Sequence, residues 1–316
     1  MTYICFAAGP LQLICIKEFL YQKKINKYEI YLISDHSPNH TDIQMNETIK
    51  LLKLKNINQV YFSRVKIIML LQRFFFRVQL LRKYKKINTA FLMLDFRNAL
   101  MHELRISFKK SKFILIDDGS QTIESYNRYL RKNIYLPVDQ YIGAFGKIKK
   151  FFLYGFQFRN LLFSKVEIFT IFAKDLDLSK NSFNSLSYVR SLLKKKIEYS
   201  NSLVYFSGTK LVERGALTLD QELNLLNKIK TYWKKKNKKL VYVAKRTSSV
   251  QKLREIRKKL SIETILFDLP LELEFIKNSK QKLPTIICSF GSTLNKSIPM
   301  IYKKIKPYYF DINKLL

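Results

Sequence analysis

No stretch of the sequence reaches about 18 uncharged apolar residues, the length needed to cross a membrane, so a spanning helix is excluded on that count. The amino-terminal run MTYICFAAGPLQLICIKEF has no basic segment ahead of it and is interrupted by Gly9, Pro10 and Gln12. It reads as a strand and a turn, not as a secretory leader. Cysteine is scarce and odd in number: Cys5, Cys15 and Cys288 lie in apolar runs, with no CxxC and no Cys/His metal spacing. A disulfide framework and a zinc site are thereby excluded, and the thiols read as small buried hydrophobes in a reducing compartment. The expected location is the cytoplasm, free or on the inner face of a membrane.

Acid is scarce too. Against 58 Lys and Arg the chain has 24 Asp and Glu, a formal net charge of +34. Such a field attracts anions, whether nucleic acid, an anionic membrane surface or a charged small substrate. Composition alone slightly favours nucleic acid, but 24 Phe and 19 Tyr are a heavy aromatic load and the abundance of Lys, Ile and Asn also fits a biased genome composition, so the charge is a weak guide to function. With 316 residues and 47% hydrophobic content the chain buries one large core or two ordinary ones, which excludes a disordered basic tail.

What is present is alternation. TYICFAA, YEIYLISD, NQVYFS, NTAFLMLD and KFILIDDG are apolar, strand-like runs separated by helical spacings such as LQLICIKEFLYQK and MNETIKLLKLK. From about 130 to 198 the period weakens into basic and aromatic stretches. SLVYFSG then opens a second series, with KLVYVAK, ETILFD and PTIICSFGS as strands and LTLDQELNLLNKIKTYWKKK and VQKLREIRKKL as helices. The order predicts an α/β protein of two doubly wound, Rossmann-like units, 1–198 with the basic aromatic insert and 199–316, with ligands beyond the carboxyl ends of the strands.

Those strand ends hold the unusual residues. FAAGP, ILIDDGS, VYFSGT, VYVAKR and IICSFGST each put glycine or polar groups directly after an apolar strand. Gly9, Gly119, Gly208, Thr209, Lys245 and Arg246 are therefore placed in the candidate ligand-binding set. In IICSFGSTLNK, Gly291 permits a tight turn, and Ser292 and Thr293 offer hydroxyls and N–H groups at the start of a helix. That is either an anion cradle suited to phosphate or a plain helix cap. No Walker A loop is present and no GxGxxG follows a strand.

Asp117 and Asp118 end the run FILIDD. Side by side they can cap a helix, or act as one base whose pKa its neighbour raises. No His or further acid accompanies them, so a metal is not expected. His36 and His40 have helical metal spacing, but Pro38 between them makes solvated loop histidines the better reading.

Taken in order, AAGPLQ, DDGS, LVYFSGTKLVERGALT, Pro270-Leu271-Glu272 and SFGSTLNK resemble the bacterial CMP-sialic acid-dependent sialyltransferases of the lipooligosaccharide and capsule family, with the polysialyltransferases more distant. The resemblance covers both halves but not the middle. It implies a GT-B fold with two domains facing a cleft, and metal-independent, inverting transfer of sialic acid from CMP-sialic acid, with no cofactor, to a hydroxyl of a surface glycan. It implies Asp118 as general base with Asp117 second, Ser292 and Thr293 on the donor phosphate, and Glu272 on the ribose hydroxyls. Lys245 stands where the family has a histidine. A lysine can hold a phosphate but shuttles protons near neutral pH only if its pKa is strongly lowered.

Other readings are another GT-B glycosyltransferase with a different nucleotide sugar and a non-enzymatic nucleic-acid binder. No nucleic acid is expected as partner of the enzyme. The basic aromatic segment 65–86 is the best support for the nucleic-acid reading and is equally a helix packing its apolar face on the core. Together with 146–165, which has Lys147, Lys149, Lys150, Phe151, Phe152 and Phe156, it also reads equally as an interfacial membrane anchor and as core.

Overall fold

Strand and helix alternate as the sequence implies in a computed structural model that describes residues 1–34, 40–141, 147, 158–193, 197–277 and 282–315. The chain divides into two units, one of residues 1–38 and 52–187, the other of residues 39–51 and 188–316.

In the first unit the strands are β1 (Thr2–Ala7), β2 (Tyr28–Ser34), β3 (Ile57–Tyr61), β4 (Thr89–Met93), β5 (Lys112–Ile116) and β6 (Glu167–Phe169). All pair in parallel, in the order β3-β2-β1-β4-β5-β6. Parallel strands must be covered on both faces, and the central ones, ICFA, AFLM and FILI, are apolar throughout and buried. Phe91 and Phe113, on adjacent strands, stack at 4.8 Å with planes 7° apart, and Phe6 continues the stack from β1. Such rings bury large areas and fix register at the same time. The covering helices are α1 (Pro10–Gln22), α3 (Lys66–Tyr84), α4 (Ala99–Ser107) and α5 (Ser120–Arg128), with a short α6 (Phe158–Phe163); α7 (Ser187–Ser191) starts at the last residue of this unit and lies mostly in the second. Winding reverses at β1, which pairs with β2 on one side and β4 on the other, so the switch point lies between β1 and β4.

β6 arises inside the stretch where the sequence shows no period. Arg105 of α4 secures that stretch: buried, it donates to the carbonyls of Leu161 at 2.8 Å, Tyr135 and Ser164. It also contacts the buried His102, whose Nε2 lies 2.6 Å from the Phe96 carbonyl.

The second unit has β7 (Tyr199–Ser207), β8 (Lys239–Val243), β9 (Glu263–Ile265), β10 (Leu283–Ser289) and β11 (Lys306–Tyr309), all parallel in the order β11-β10-β7-β8-β9. Its helices are α8 (Leu219–Lys234), α9 (Val250–Leu260), α10 (Leu271–Lys277), α11 (Leu294–Ile301) and α12 (Ile312–Leu315). The helix α2 (His40–Leu52) also lies mostly in this unit, where Gln44 donates to the Phe267 carbonyl at 2.9 Å. A capping box of Thr218 and Gln221 starts α8, and Leu223, Leu226, Ile229 and Trp233 form its buried stripe. Here the switch point lies between β7 and β10.

Candidate functional site

Three side chains converge at the switch point of the second unit. Ser207 ends β7, Ser292 follows β10, and Lys245 follows β8. The Lys245 ammonium donates to both hydroxyls at 3.2 Å, and Ser207 Oγ donates to Ser292 Oγ at 3.1 Å. Among the described residues none pairs this ammonium with a carboxylate. Burial pushes its pKa down to about 8; buried Glu272 opposes that shift, while the cations Lys210 and Arg246 add to it. Glu272 itself is pushed up by burial and accepts from Ser297 Oγ at 2.8 Å.

The turn after β10 is shaped by a residue that motif reading passed over. Ser289 Oγ accepts from Gly291 N at 3.0 Å and Ser292 N at 2.8 Å, and Ser292 Oγ accepts from Leu294 N at 3.3 Å. Gly291 has φ +102, and a Cβ there would meet nothing within 4 Å, so the backbone conformation alone calls for glycine. Thr293 occupies the N-cap position of α11 but makes no cap hydrogen bond through its side chain.

Gly208 and Thr209 support the cradle from behind. A Cβ on Gly208 would lie 2.7 Å from the Val243 carbonyl and 2.8 Å from the Tyr242 hydroxyl, so only glycine lets the ends of β7 and β8 approach. Thr209 is buried, and its hydroxyl donates to Glu222 at 2.8 Å. Lys252 in turn pairs with Glu222 at 2.8 Å and donates to the Thr209 carbonyl at 3.0 Å. Thr209 thus faces this internal ion pair.

In the first unit the two acids at the end of β5 have different surroundings. Asp117 is fully buried, accepting from the Thr170 hydroxyl and from Ile171 N at 2.9 Å, with Cys15 Sγ at 3.8 Å. Burial outweighs these donors and raises its pKa to about 7. It ties β5 to the segment after β6. Asp118 is half-buried at the carboxyl end of the sheet and accepts from Gln12 Nε2 at 3.1 Å, while its own N–H donates to Thr122. Gln12, in the first turn of α1, also donates to the Leu94 carbonyl at 2.6 Å and accepts from Ala8 N at 2.6 Å. One side chain therefore joins the ends of β1, β4 and β5 across the switch point. Gly9 precedes α1 as an extended, buried N-cap, and Gly119, at φ 67, turns the chain into α5.

Asp95, just past β4, joins this rim; burial raises its pKa despite a hydrogen bond from Arg97 N. Gln12, the last residue of AAGPLQ, and Asp95, the last of NTAFLMLD, were not singled out as site residues, although both follow apolar strands. Among the described residues no group of three or more His, Cys, Asp and Glu could hold a metal. His36, and Lys149, Lys150, Phe151, Phe152 and Phe156 of the second basic aromatic segment, lie outside the described residues.

No protein-family model and no curated protein matches this sequence. Solved structures do match in fold. A Listeria monocytogenes protein assigned as a UDP-N-acetylglucosamine 2-epimerase superposes with a TM-score of 0.57 at 8% identity, over 95% of this chain and 77% of that one. The S. aureus MnaA–UDP complex gives 0.56 at 11% identity, over 95% and 78%. The Neisseria meningitidis UDP-GlcNAc 2-epimerase bound to UDP-GlcNAc gives 0.54 at 10% identity, over 93% and 79%. The chain has the two-sheet GT-B architecture of these enzymes. The resemblance to sialyltransferases, with CMP-sialic acid as partner, is corrected by this result: the three solved structures named above are described by UDP or UDP-GlcNAc, and no sequence match supports sialyl transfer. The physical reason is plain. Short Gly, Ser and Asp motifs recur at the strand ends of parallel sheets that bind nucleotides, so their order follows the fold and not one family.

Proposed function

We propose that the chain is an enzyme acting on a UDP-activated sugar. The observation that carries this is the Lys245 ammonium held between the Ser207 and Ser292 hydroxyls at a sheet switch point. A cation with two neutral partners, its charge disfavoured by burial, gains most from a phosphate. In this reading Lys245 and the two hydroxyls bind the diphosphate and stabilise the charge that develops on it as the sugar–phosphate bond breaks. Ser289 and Gly291 hold the shape of the turn, and Arg246 and Lys210 draw the anion in. Asp118, oriented by Gln12, is the proton acceptor on its own sheet. Uridine as the base is supported by the shared fold of the UDP-sugar enzymes.

Calorimetric titration with UDP, CMP and GDP tests the binding half of the proposal. UDP is expected to bind, and Lys245→Ala to weaken it. Incubation with UDP-GlcNAc, followed by NMR of the sugar with and without added glycan hydroxyls, then reads inversion at a ring carbon against transfer. If none of the three nucleotides binds, the reading is wrong; if CMP or GDP binds in preference to UDP, its uridine component is wrong.

A further inference from the structure

The helix α3 is apolar on two opposite faces. Phe76, Leu80 and Tyr84 point inward and are buried in the core of the first unit. On the other side, Ile67, Leu70, Leu71, Phe74 and Phe75 follow the spacing i, i+3, i+4, i+7, i+8, with exposures of 72%, 46%, 55%, 49% and 66%. One face does the packing expected of a core helix; the second has no such task. Isolated exposed hydrophobics are ordinary, but a continuous stripe over two turns marks an interaction surface.

Charge identifies what covers it. From Arg64 to Lys86 there are eight Lys and Arg and no Asp or Glu. Arg73 and Lys83 are paired, with Glu103 and Glu29, and Arg77 lies over the Phe74 ring at 5.6 Å. Arg82 and Lys83 occupy the last turn, followed at once by the exposed Lys85 and Lys86. A second copy of this chain docked by a two-fold would set like charges against each other. A nucleic acid would use the phenylalanine rings for stacking but has nothing to offer Ile67, Leu70 and Leu71. Aliphatic and aromatic side chains rimmed by cations fit a lipid surface, where the apolar stripe enters the acyl boundary and the cations meet anionic headgroups.

We infer that α3 docks the protein onto an anionic lipid bilayer through Ile67, Leu70, Leu71, Phe74 and Phe75, lying along the surface without crossing it. Among the described residues no helix is long and apolar enough to span.

The test is co-sedimentation of the full chain with vesicles of phosphatidylglycerol mixed with phosphatidylcholine, and with phosphatidylcholine alone. The protein is expected to pellet with the mixed vesicles and to be released by salt. The variant I67S/L71S/F74S/F75S should partition at least about tenfold less, with an unchanged melting midpoint. If that variant does not fold, Phe75→Trp reports the same contact by a blue-shifted emission on mixed vesicles only. Wild-type protein left in the supernatant at low salt would overturn the inference. So would undiminished binding by the fourfold variant, which would mean adhesion by charge alone. A concentration-dependent dimer lost in that variant, or RNA binding lost in it without vesicle binding, would assign the stripe to a second copy or to nucleic acid instead.

Discussion

The Lys245 ammonium, just past β8, stands 3.2 Å from the Ser292 hydroxyl, just past β10, and reaches it across β7, beside which the winding of the second sheet reverses. A hydrogen bond to a charged group is worth about 1.5–3 kcal/mol. Lys245→Ala is therefore expected to weaken UDP roughly 10- to 100-fold and Ser292→Ala by about tenfold, read by calorimetry. Equal affinity in both variants and wild type would remove the phosphate from this position.

The pH dependence follows from the same lysine. Its pKa, lowered by burial to about 8, means the ammonium is lost above that value and phosphate affinity falls as pH rises through it. A bound phosphate restores the charge, so binding near pH 8 to 9 takes up protons, measurable as a buffer-dependent binding enthalpy. Lys245→Arg stays charged and should show neither effect. For stability the sign is opposite. The unfolded lysine keeps its proton up to 10.5 and the folded one gives it up near 8, so the unliganded protein gains stability between those values as pH rises.

Asp117 and Asp118 are expected to separate by readout. Asp117→Asn sets an amide against the Ile171 N–H or the Thr170 hydroxyl and should destabilise the fold by about 1–3 kcal/mol. Asp118→Asn should leave the melting midpoint within a degree or two while lowering turnover about 100-fold or more. Because the Asp117 pKa is raised from 3.8 to about 7, the folded state binds the extra proton between those values. Its contribution is present at low pH and lost as pH climbs toward 7, a slope that Asp117→Asn should remove from urea melts.

His102 acts in the other direction. Buried beside Arg105, it has a pKa lowered to about 3, so the unfolded chain takes up its proton first, near 6.5. Stability should fall as pH drops from about 6.5 toward 3, and the slope should vanish in His102→Gln.

The strands β1 to β5 and β7 to β10 were legible in the sequence because parallel strands buried on two faces must be apolar runs, and each ended where a helix had to begin; β11, a four-residue strand that is mostly exposed, was not. VQKLREIRKKL is α9 residue for residue. β6 was not legible, since three residues give no period and its place is set by Arg105 reaching three carbonyls from α4. At the site, glycines and adjacent acids caught the eye, and Lys245 and Ser292 are indeed brought together. Gln12 and Ser207 were missed because a glutamine or serine at a strand end is unremarkable until the fold shows what it touches. The nucleotide was misread because strand-end motifs report a phosphate and say nothing of the base above it. The double apolar face of α3 explains why periodicity could not choose between core and surface: both are present, on opposite sides.

The buried pair Lys252–Glu222 offers the last test, because it links stability to the cradle. Both side chains are 1% exposed and 2.8 Å apart, and together they hold the hydroxyl and carbonyl of Thr209, next to Gly208 and Ser207. Lys252 also reaches Glu213 at 3.3 Å, so Lys252→Met, which strips buried Glu222 of its partner, should cost about 3–5 kcal/mol, and Glu222→Leu, which leaves Lys252 with Glu213, should cost less. Replacing both leaves only the partly exposed Glu213 without this cation and should recover most of that loss. Nucleotide affinity should not recover with it, since Thr209 then has no anchor and the turn beside Ser207 is no longer fixed. A double variant with restored stability and full UDP affinity would show that the ion pair serves the fold alone; one as unstable as the single variants would show that packing, not the lone charge, carries the cost. Only recovered stability with persistently weak UDP binding, in urea melts and calorimetry on the same preparation, supports a positioning role for the pair.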